Sequence, residues 1–228
     1  MTIVYQDERI VVAVKPNGVL STDEPGGMPS LLRQTLGTDC IRTVHRLDAQ
    51  TGGLMVFARS RKAAALLSEQ VRERQFSKGY LAVVHGVPQP PAGQLRDLLG
   101  RDSVRRVTFV ADTPSAETRE ALLDYETLES SGSLSLVQVH LHTGRTHQIR
   151  VHFASIGHPL AGDDLYGGHR DRIARQALHC ARQSFRVPAY TEVPGGIRLE
   201  TPVGEHARTV AVESPLPEDM RALLDAEI

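Results

Sequence analysis

The sequence predicts an α+β fold with a mixed, largely antiparallel sheet and flanking helices. Apolar segments of strand length and amphipathic segments of helix length interleave without the regular period of βαβ units, which disfavours a doubly wound fold. Hydrophobic residues make up 40% of the 228 residues and charged residues 23%, the proportions of a globular protein. We therefore expect a single domain over residues 1–228 with a sizeable core.

The first half of the chain contains three predicted strands and two predicted helices. Short apolar runs indicate strands at Ile10–Val14, Leu54–Ala58 and Tyr80–Gly86. A short helix is expected over Pro29–Gly37. A longer, amphipathic helix is expected over Arg61–Gln75, where apolar residues recur at helical spacing.

The second half follows the strongest break in the sequence, the proline-rich segment 88–93, which has the composition of a linker but is too short to establish a boundary. The predicted strands here are Val107–Ala111, Glu120–Leu128, Ser135–His142, Ala177–Val187 and Ile197–Thr201. Two more helices are expected, over Thr146–Ile156 and Pro217–Ala226; the second begins with acidic residues, which suit the positive end of a helix dipole.

Composition excludes several classes of protein. Two cysteines, Cys40 and Cys180, cannot form the framework of a disulfide-rich secreted domain, and the N-terminus lacks the features of a signal peptide. No apolar run approaches the length of a membrane span. We expect a soluble, cytoplasmic protein. A net charge of −1 excludes a global positive field, so any nucleic-acid surface must be local.

Asp48 lies in a polar loop, residues 45–53, between two apolar segments. Two interpretations are open. The carboxylate can accept hydrogen bonds from backbone amides in a turn, with Thr51 assisting. Alternatively, a carboxylate on a glycine-shaped loop beside a strand can act as a nucleophile or base. The local sequence does not distinguish them.

The histidine-rich segment 142–158 raises the possibility of a metal site, which helix geometry disfavours. His147 and His152 are five residues apart, so they lie roughly 140° apart around a helix and cannot share one ion. His147 and Arg150 do share a face. That face can pack on the sheet, or Arg150 can project into a cleft to bind a carboxylate or phosphate.

Lys78 and Tyr80 lie two residues apart in a predicted strand and therefore on the same face. Tyr80 is either a core residue with its hydroxyl at the rim or, with Lys78, part of a pocket wall.

In order along the chain, these segments resemble the motifs of the RluA-type family of RNA pseudouridine synthases. The matching segments are Lys15–Gly18, His45–Asp48, Thr51–Leu54, Lys78–Tyr80, Thr143–His152, Gly157–Pro159, Gly162–Asp163, Leu165–Gly167 and Leu178–Ala181. Gly52 departs from the family pattern, which usually has serine there; we expect activity to survive this change. Many relatives carry an S4-type RNA-binding domain before these motifs. We expect this protein to belong to the compact subgroup without that domain.

The resemblance implies a catalytic domain that isomerises uridine to pseudouridine without a metal or organic cofactor. It implies that Asp48 is the catalytic aspartate, that Arg150 pairs with it, and that Tyr80 stacks on the uracil and assists with the C5 proton. Leu178 would pack on the other side of the base. Whether Asp48 attacks C1′ or removes the C2′ proton stays open.

The resemblance also implies that the target uridine is flipped out of a folded RNA, with Arg46 filling the vacated space and His45 beside it. The expected partner is structured RNA, a ribosomal or transfer RNA stem-loop, bound by a monomer. Further RNA contacts are expected from Lys15, Arg59, Lys62, Arg145 and His147. The alternatives are a non-catalytic RNA-binding protein on the same scaffold and a metal-dependent hydrolase.

Overall fold

The computed structural model describes residues 1–187, 190–193, 197–200 and 207–226. Its strands are β1 Thr2–Gln6, β2 Ile10–Lys15, β3 Arg42–Thr43, β4 Gly52–Ala58, β5 Ser77–His85, β6 Ala92–Asp102, β7 Val107–Val110, β8 Arg119–Ser131, β9 Leu134–Leu141, β10 Leu178–Val187, β11 Tyr190–Val193, β12 Ile197–Glu200 and β13 Arg208–Glu213. Its α-helices are α1 Met28–Leu36, α2 Arg61–Arg72, α3 Gln148–Ser155 and α4 Glu218–Asp225.

One large sheet organises the molecule. Its strand order is β1-β2-β4-β10-β5-β9-β8-β6-β7, with β3 also pairing β4 and β13 also pairing β10; β11 and β12 form a separate hairpin. Every pairing in the large sheet is antiparallel except that of β4 with β10. The predicted fold class, a mixed and largely antiparallel sheet with flanking helices, is confirmed.

The core forms where the helices cover this sheet. All seven residues of β4 are buried, and Phe57 is completely enclosed. Helix α2 adds Ala63 and Leu67 from its buried face. Ser60 fixes the beginning of α2, because its hydroxyl accepts a hydrogen bond from Ala63 N. The predicted helix over Arg61–Gln75 is confirmed in position, although it ends three residues earlier.

Five of the observed strands were not expected from the sequence: β1, β3, β6, β11 and β13. The leucines of β6 stand among polar and charged residues without regular alternation, and this strand lies near the edge of the sheet, where one face stays partly exposed. The proline-rich segment 88–93 lies in the connection from β5 to β6 and includes the first two residues of β6, so it joins two strands of the same sheet. The final residue of the predicted strand Ile197–Thr201 lies outside the described residues. Within the described ranges no helix has both the length and the apolar character needed to cross a membrane.

Candidate active site

A cleft of about 610 Å³ opens at the ends of the central strands. Its walls come from the loop before β4, the C-terminal end of α2 with the start of β5, the end of β9 and the beginning of α3. These segments are distant in sequence, and the antiparallel pairing of β5 with both β9 and β10 brings them together. The lining includes most of the residues singled out in the sequence: His45, Arg46, Asp48, Lys78, Tyr80, Arg145, His147, Arg150 and Leu178.

Asp48 lies in the cleft with its side chain 24% exposed. Its loop is held by backbone hydrogen bonds from Thr51 N to Asp48 O (3.0 Å) and from Gly18 N to Ala49 O (2.9 Å). The loop then enters β4 through Gly53, which has φ +115° and fits so closely against the backbone of Cys180 that no Cβ could be accommodated. The turn is closed by the backbone carbonyl of Asp48 and not, as the first interpretation expected, by its carboxylate, which faces the cleft and Arg150.

Gly52, where the sequence departs from the family pattern, also fits closely. A Cβ at this position would lie 2.6 Å from Asn17 Oδ1. The Asn17 side chain therefore occupies the space into which a serine would extend.

Lys15 does not reach the surface, and its expected contact with RNA is wrong in this structure. The side chain is 1% exposed, and Nζ donates hydrogen bonds to the carbonyls of Pro16 (3.0 Å), Val19 (2.6 Å) and Ala49 (2.8 Å). Burial lowers the pKa of Lys15 to about 8, against the opposing effect of the Asp48 charge. Lys15 thus stabilises the loop that carries Asp48.

Arg150 lies between two carboxylates. Nη1 is 3.3 Å from Asp48 Oδ2, while Nε and Nη2 donate to the two oxygens of Asp163 at 2.6 and 2.7 Å. The guanidinium also lies 5.0 Å from the centre of the Tyr166 ring. Of the two interpretations of Arg150, projection toward a carboxylate is the one observed. Asp163 and Tyr166 were recognised as motif residues, but only the folded geometry relates them to Arg150.

His147 approaches the same oxygen of Asp48 that Arg150 contacts. Its Nε2 is 3.7 Å from Asp48 Oδ2, and its Nδ1 shares a 2.9 Å hydrogen bond with the Tyr166 hydroxyl. Burial is the main cause of the lowered pKa of His147, and the Asp48 charge opposes it. The backbone of His147 is left-handed (φ 55°), which explains why α3 begins at Gln148 rather than at the expected Thr146.

His147 and His152 point to different partners, as the spacing of five residues predicts. His152 is completely buried, and its Nε2 lies 3.7 Å from Asp97 Oδ2, on the side of α3 away from Asp48. Among the described residues, no three His, Cys, Asp or Glu side chains are placed to hold a metal ion.

Tyr80 forms part of the cleft wall together with Lys78, the second of the two interpretations of this pair. Tyr80 is buried, and burial raises the pKa of its hydroxyl well above the ordinary value, with a further contribution from the neighbouring Cys180. Lys78 Nζ lies 5.4 Å from the centre of the Phe76 ring. Leu178, the first residue of β10, is buried and lines the same cleft.

His45 and Arg46 are adjacent in sequence but occupy different environments. Arg46 is exposed at the cleft. His45 is buried, its Nε2 accepts a hydrogen bond from Val56 N (3.0 Å), and its ring packs 5.3 Å from that of Phe76. The structure therefore corrects the expected position of His45 beside Arg46: the histidine is part of the cleft floor and cannot enter an RNA duplex.

The expected RNA contacts fall into two groups. Arg145 and His147 line the cleft, and so do Arg72 and Arg74 at the C-terminal end of α2. Arg59 and Lys62 lie at the other end of that helix, and Arg59 Nη1 donates to the backbone carbonyl of Asp7 (2.6 Å). The structure therefore does not bring Arg59 and Lys62 to the cleft.

A histidine pair at the cleft rim was not anticipated. His140 and His142 project from the end of β9 with ring centres 5.0 Å apart, and His142 Nε2 lies 2.6 Å from Asp124 Oδ2. The alternation of polar and apolar residues along β9 placed both histidines on one face, but the position of that face at the cleft follows from the pairing with β5.

Comparison with known proteins gives concordant matches. A family model described as RNA pseudouridylate synthase matches residues 9–155. An uncharacterized RNA pseudouridine synthase of Bacillus subtilis, YhcT, is 33% identical over 237 residues, covering 98% of this chain and 71% of the relative. Ribosomal large subunit pseudouridine synthase D of Neisseria meningitidis is 34% identical over 244 residues, covering 98% and 60%.

Solved structures agree in fold. Human RNA Pseudouridylate Synthase Domain Containing 1 superposes with a TM-score of 0.72 at 26% identity, covering 99% of this chain and 94% of the human chain. Human RNA Pseudouridylate Synthase Domain Containing 4 gives a TM-score of 0.75 at 23% identity, with coverage of 98% and 93%.

Proposed function

The chain belongs to the RNA pseudouridylate synthase family and is thus an isomerase that acts on RNA; from this premise we propose that Asp48 is its catalytic residue and that its substrate is a uridine flipped out of a structured RNA. The observation that carries the proposal is the position of the Asp48 carboxylate inside the cleft, within 4 Å of both Arg150 and His147. We further propose that the enzyme acts as a monomer, without a cofactor, on ribosomal or transfer RNA in the cytoplasm.

The proposed reaction exchanges one glycosidic bond for another. The N1–C1′ bond of uridine breaks, the uracil turns, C5 bonds to C1′, and the proton on C5 is lost while N1 gains one, so the product has the same atoms as the substrate. Asp48 begins this sequence either by attacking C1′ or by removing the C2′ proton. The guanidinium of Arg150, 3.3 Å away, stabilises the negative charge that either role requires.

The cleft has the dimensions of a small-molecule site, and its volume suffices for a flipped nucleoside. Tyr80 and Leu178 would contact the two faces of the uracil. Because burial raises the pKa of Tyr80, its hydroxyl stays protonated at neutral pH. We assign Tyr80 a stacking role because it lines the cleft wall.

Arg46 is the exposed basic residue nearest in sequence to Asp48, and we propose that it occupies the space left by the flipped uridine. Flipping costs a few kcal/mol in a paired RNA, so a side chain that replaces the lost stacking favours the open state.

Tritium release tests the proposal. Total RNA from cells that lack the gene, labelled with tritium at uridine C5, is incubated with the purified protein. Tritium release is expected from the wild type and is expected to be lost in Asp48→Asn. Asp225→Asn, an exposed aspartate on α4, serves as the control and should retain full release. Full activity of Asp48→Asn would overturn the assignment of Asp48, and binding of RNA without release by the wild type would support the non-catalytic alternative.

A further inference from the structure

His147 lies beside Asp48, and nothing in the proposed reaction so far depends on it. Its side chain is 15% exposed, so it is poorly placed for direct contact with a phosphate of RNA. Its backbone is left-handed (φ 55°), a conformation that is unfavourable for residues other than glycine and that clusters at functional sites. The protein thus holds an imidazole ring near the Asp48 carboxylate at a conformational cost.

The loop before α3 keeps His147 in place. The side chain of Gln148, the next residue, is buried, and its Oε1 accepts hydrogen bonds from Arg145 N (3.0 Å) and from the Thr143 hydroxyl (2.8 Å). Its Nε2 donates to Leu122 O of β8 (3.1 Å). The residue that follows His147 is therefore fixed both to its own loop and to the sheet.

A chain of hydrogen bonds assigns the proton on the His147 ring. Thr108 N donates to the Tyr166 hydroxyl (2.9 Å), and His147 Nδ1 lies 2.9 Å from the same oxygen. Burial raises the pKa of Tyr166, so this hydroxyl keeps its proton at neutral pH and needs an acceptor. A backbone N–H can only donate, so the acceptor among the described residues is Nδ1. Because burial lowers the pKa of His147, its ring is neutral, and its one proton is on Nε2.

Nε2 is the ring nitrogen that approaches Asp48. It lies 3.7 Å from Oδ2, the oxygen that Arg150 Nη1 contacts at 3.3 Å. A distance of 3.7 Å is too long for a hydrogen bond, but such contacts in active sites are often long before the substrate binds and shorten in the complex. Among the described residues both donors converge on Oδ2, and Oδ1 is left for the substrate.

We propose that His147 is a positioning residue, which donates from Nε2 to Asp48 Oδ2 in the substrate complex and thereby directs Oδ1 toward the ribose. The inference rests on the proposed function, since it concerns how Asp48 is presented to the uridine. A carboxylate with one oxygen bound by two donors has a restricted orientation, and the orientation of reacting groups contributes strongly to rate. Because Nε2 already carries a proton, His147 is unsuited to remove the C5 proton.

Nitrogen NMR tests the assigned tautomer without reference to activity. Protein labelled at histidine with the NMR-active nitrogen isotope is measured at neutral pH, where ring nitrogens with and without a proton resonate in separate ranges. The His147 signals are those lost in His147→Asn, and we expect the proton on Nε2. Tyr166→Phe removes the hydroxyl and keeps the ring, so it should raise the share of the Nδ1–H tautomer. Tyr125→Phe, which removes a hydroxyl bonded to Pro90 O (2.9 Å) away from the cleft, should not.

Two substitutions of His147 separate the roles of its ring nitrogens. Glutamine can place an amide N–H near the position of Nε2, whereas asparagine reaches only as far as Nδ1 and tolerates the left-handed backbone. With the tritium-labelled RNA, His147→Asn should lower kcat roughly 100-fold, as removal of one preorganised donor does, with KM little changed. His147→Gln should recover most of the lost rate. His85→Asn, at a half-buried histidine that ends β5 and does not line the cleft, should keep the wild-type kcat.

The outcomes separate the positioning role from the proposed function. If the wild type releases tritium and His147→Asn keeps its kcat, His147 has no positioning role and the proposed function stands. An Nδ1–H tautomer in the wild type also overturns the role. If the wild type releases no tritium, the proposed function fails. In that case the Nδ1–H tautomer overturns the contact with Asp48 as well, and the Nε2–H tautomer supports it.

Discussion

Arg150 contacts two carboxylates, and the two contacts are unequal. Its two short hydrogen bonds, of 2.6 and 2.7 Å, go to Asp163, which is 1% exposed. Its contact with Asp48 is longer, at 3.3 Å. A planar guanidinium held at two nitrogens by one carboxylate has a fixed orientation. Asp163 therefore determines the direction in which the remaining nitrogen, Nη1, points, and it points toward Asp48.

This geometry makes Asp163 a positioning residue, and Asp163→Asn tests it. The asparagine can accept only one of the two hydrogen bonds, so the guanidinium loses its fixed orientation. We expect kcat for tritium release to fall roughly 10- to 100-fold, as small displacements in an active site do, with KM little changed. Single-turnover and steady-state rates, measured at several RNA concentrations, separate the two parameters.

A second pair in the same molecule supplies the control. Arg175 donates to Asp219 in the same forked geometry, at 2.9 and 2.8 Å, but neither residue lines the cleft. Asp219→Asn should lower the free energy of unfolding and leave kcat unchanged. If both variants lose activity only in proportion to their loss of folded protein, Asp163 is structural and the positioning role is wrong.

Basic residues at the two ends of helix α2 lie in different surroundings. Arg74 and Arg72 line the cleft at its C-terminal end, whereas Lys62 lies in its first turn. Arg74 has a left-handed backbone (φ 59°), which costs roughly 1–2 kcal/mol for a residue other than glycine. A basic side chain kept in an unfavourable conformation at a cleft is consistent with a function for that side chain.

Arg74→Gly should therefore stabilise the folded protein and weaken its binding to RNA. Relief of the left-handed strain exceeds the added entropy of glycine, so the free energy of unfolding should rise by about 0.5–1 kcal/mol. The Kd for RNA should rise as well, and the salt slope should fall by about one. Urea unfolding and fluorescence anisotropy measure the two effects. Lys62→Ser should leave RNA binding unchanged, and an equal loss in this variant would contradict the distinction between the two ends of the helix.

The same elements show what can be predicted from sequence. Strands β2 and β4 are predictable because they are short apolar runs, and strand β9 and helix α2 because their apolar residues recur at the period of one buried face. Strand β6 is not predictable in this way because its leucines and charged residues do not alternate and because burial near a sheet edge is incomplete. In the site, Asp48, Tyr80 and Arg150 were recognised by family resemblance.

The roles of Lys15 and Asp163 depend on contacts between residues distant in sequence. Lys15 bonds Ala49, and Asp163 bonds Arg150 across the turn that follows α3. A lysine in a motif next to a loop has the same sequence signature whether it faces RNA or the interior. Only the folded chain shows that three backbone carbonyls enclose its ammonium group.

At the scale of the whole molecule, a net charge of −1 hides an uneven distribution. Seven arginines fall between Arg145 and Arg186 against three aspartates, while the last 24 residues hold six acids against two arginines. The structure shows that part of this basic segment is already neutralised. Arg150 pairs with Asp163, Arg170 with Asp164, Arg175 with Asp219 and Arg182 with Glu213. The positive charge left for phosphate is therefore smaller than the arginine count suggests.

This distribution predicts a moderate dependence of RNA affinity on salt. The candidate phosphate contacts are the arginines of the cleft, and each neutralised phosphate contributes about 0.9 to the slope of log K against log salt concentration in a duplex. We expect a slope between about −3 and −6 for a structured RNA, measured by anisotropy titrations over a series of potassium chloride concentrations. A slope of about −10 would require roughly ten phosphate contacts, the number that a large nucleic-acid-binding surface provides. That result would show that the paired arginines exchange their acidic partners for phosphate when RNA binds. It would contradict the prediction that RNA binds to a local positive surface.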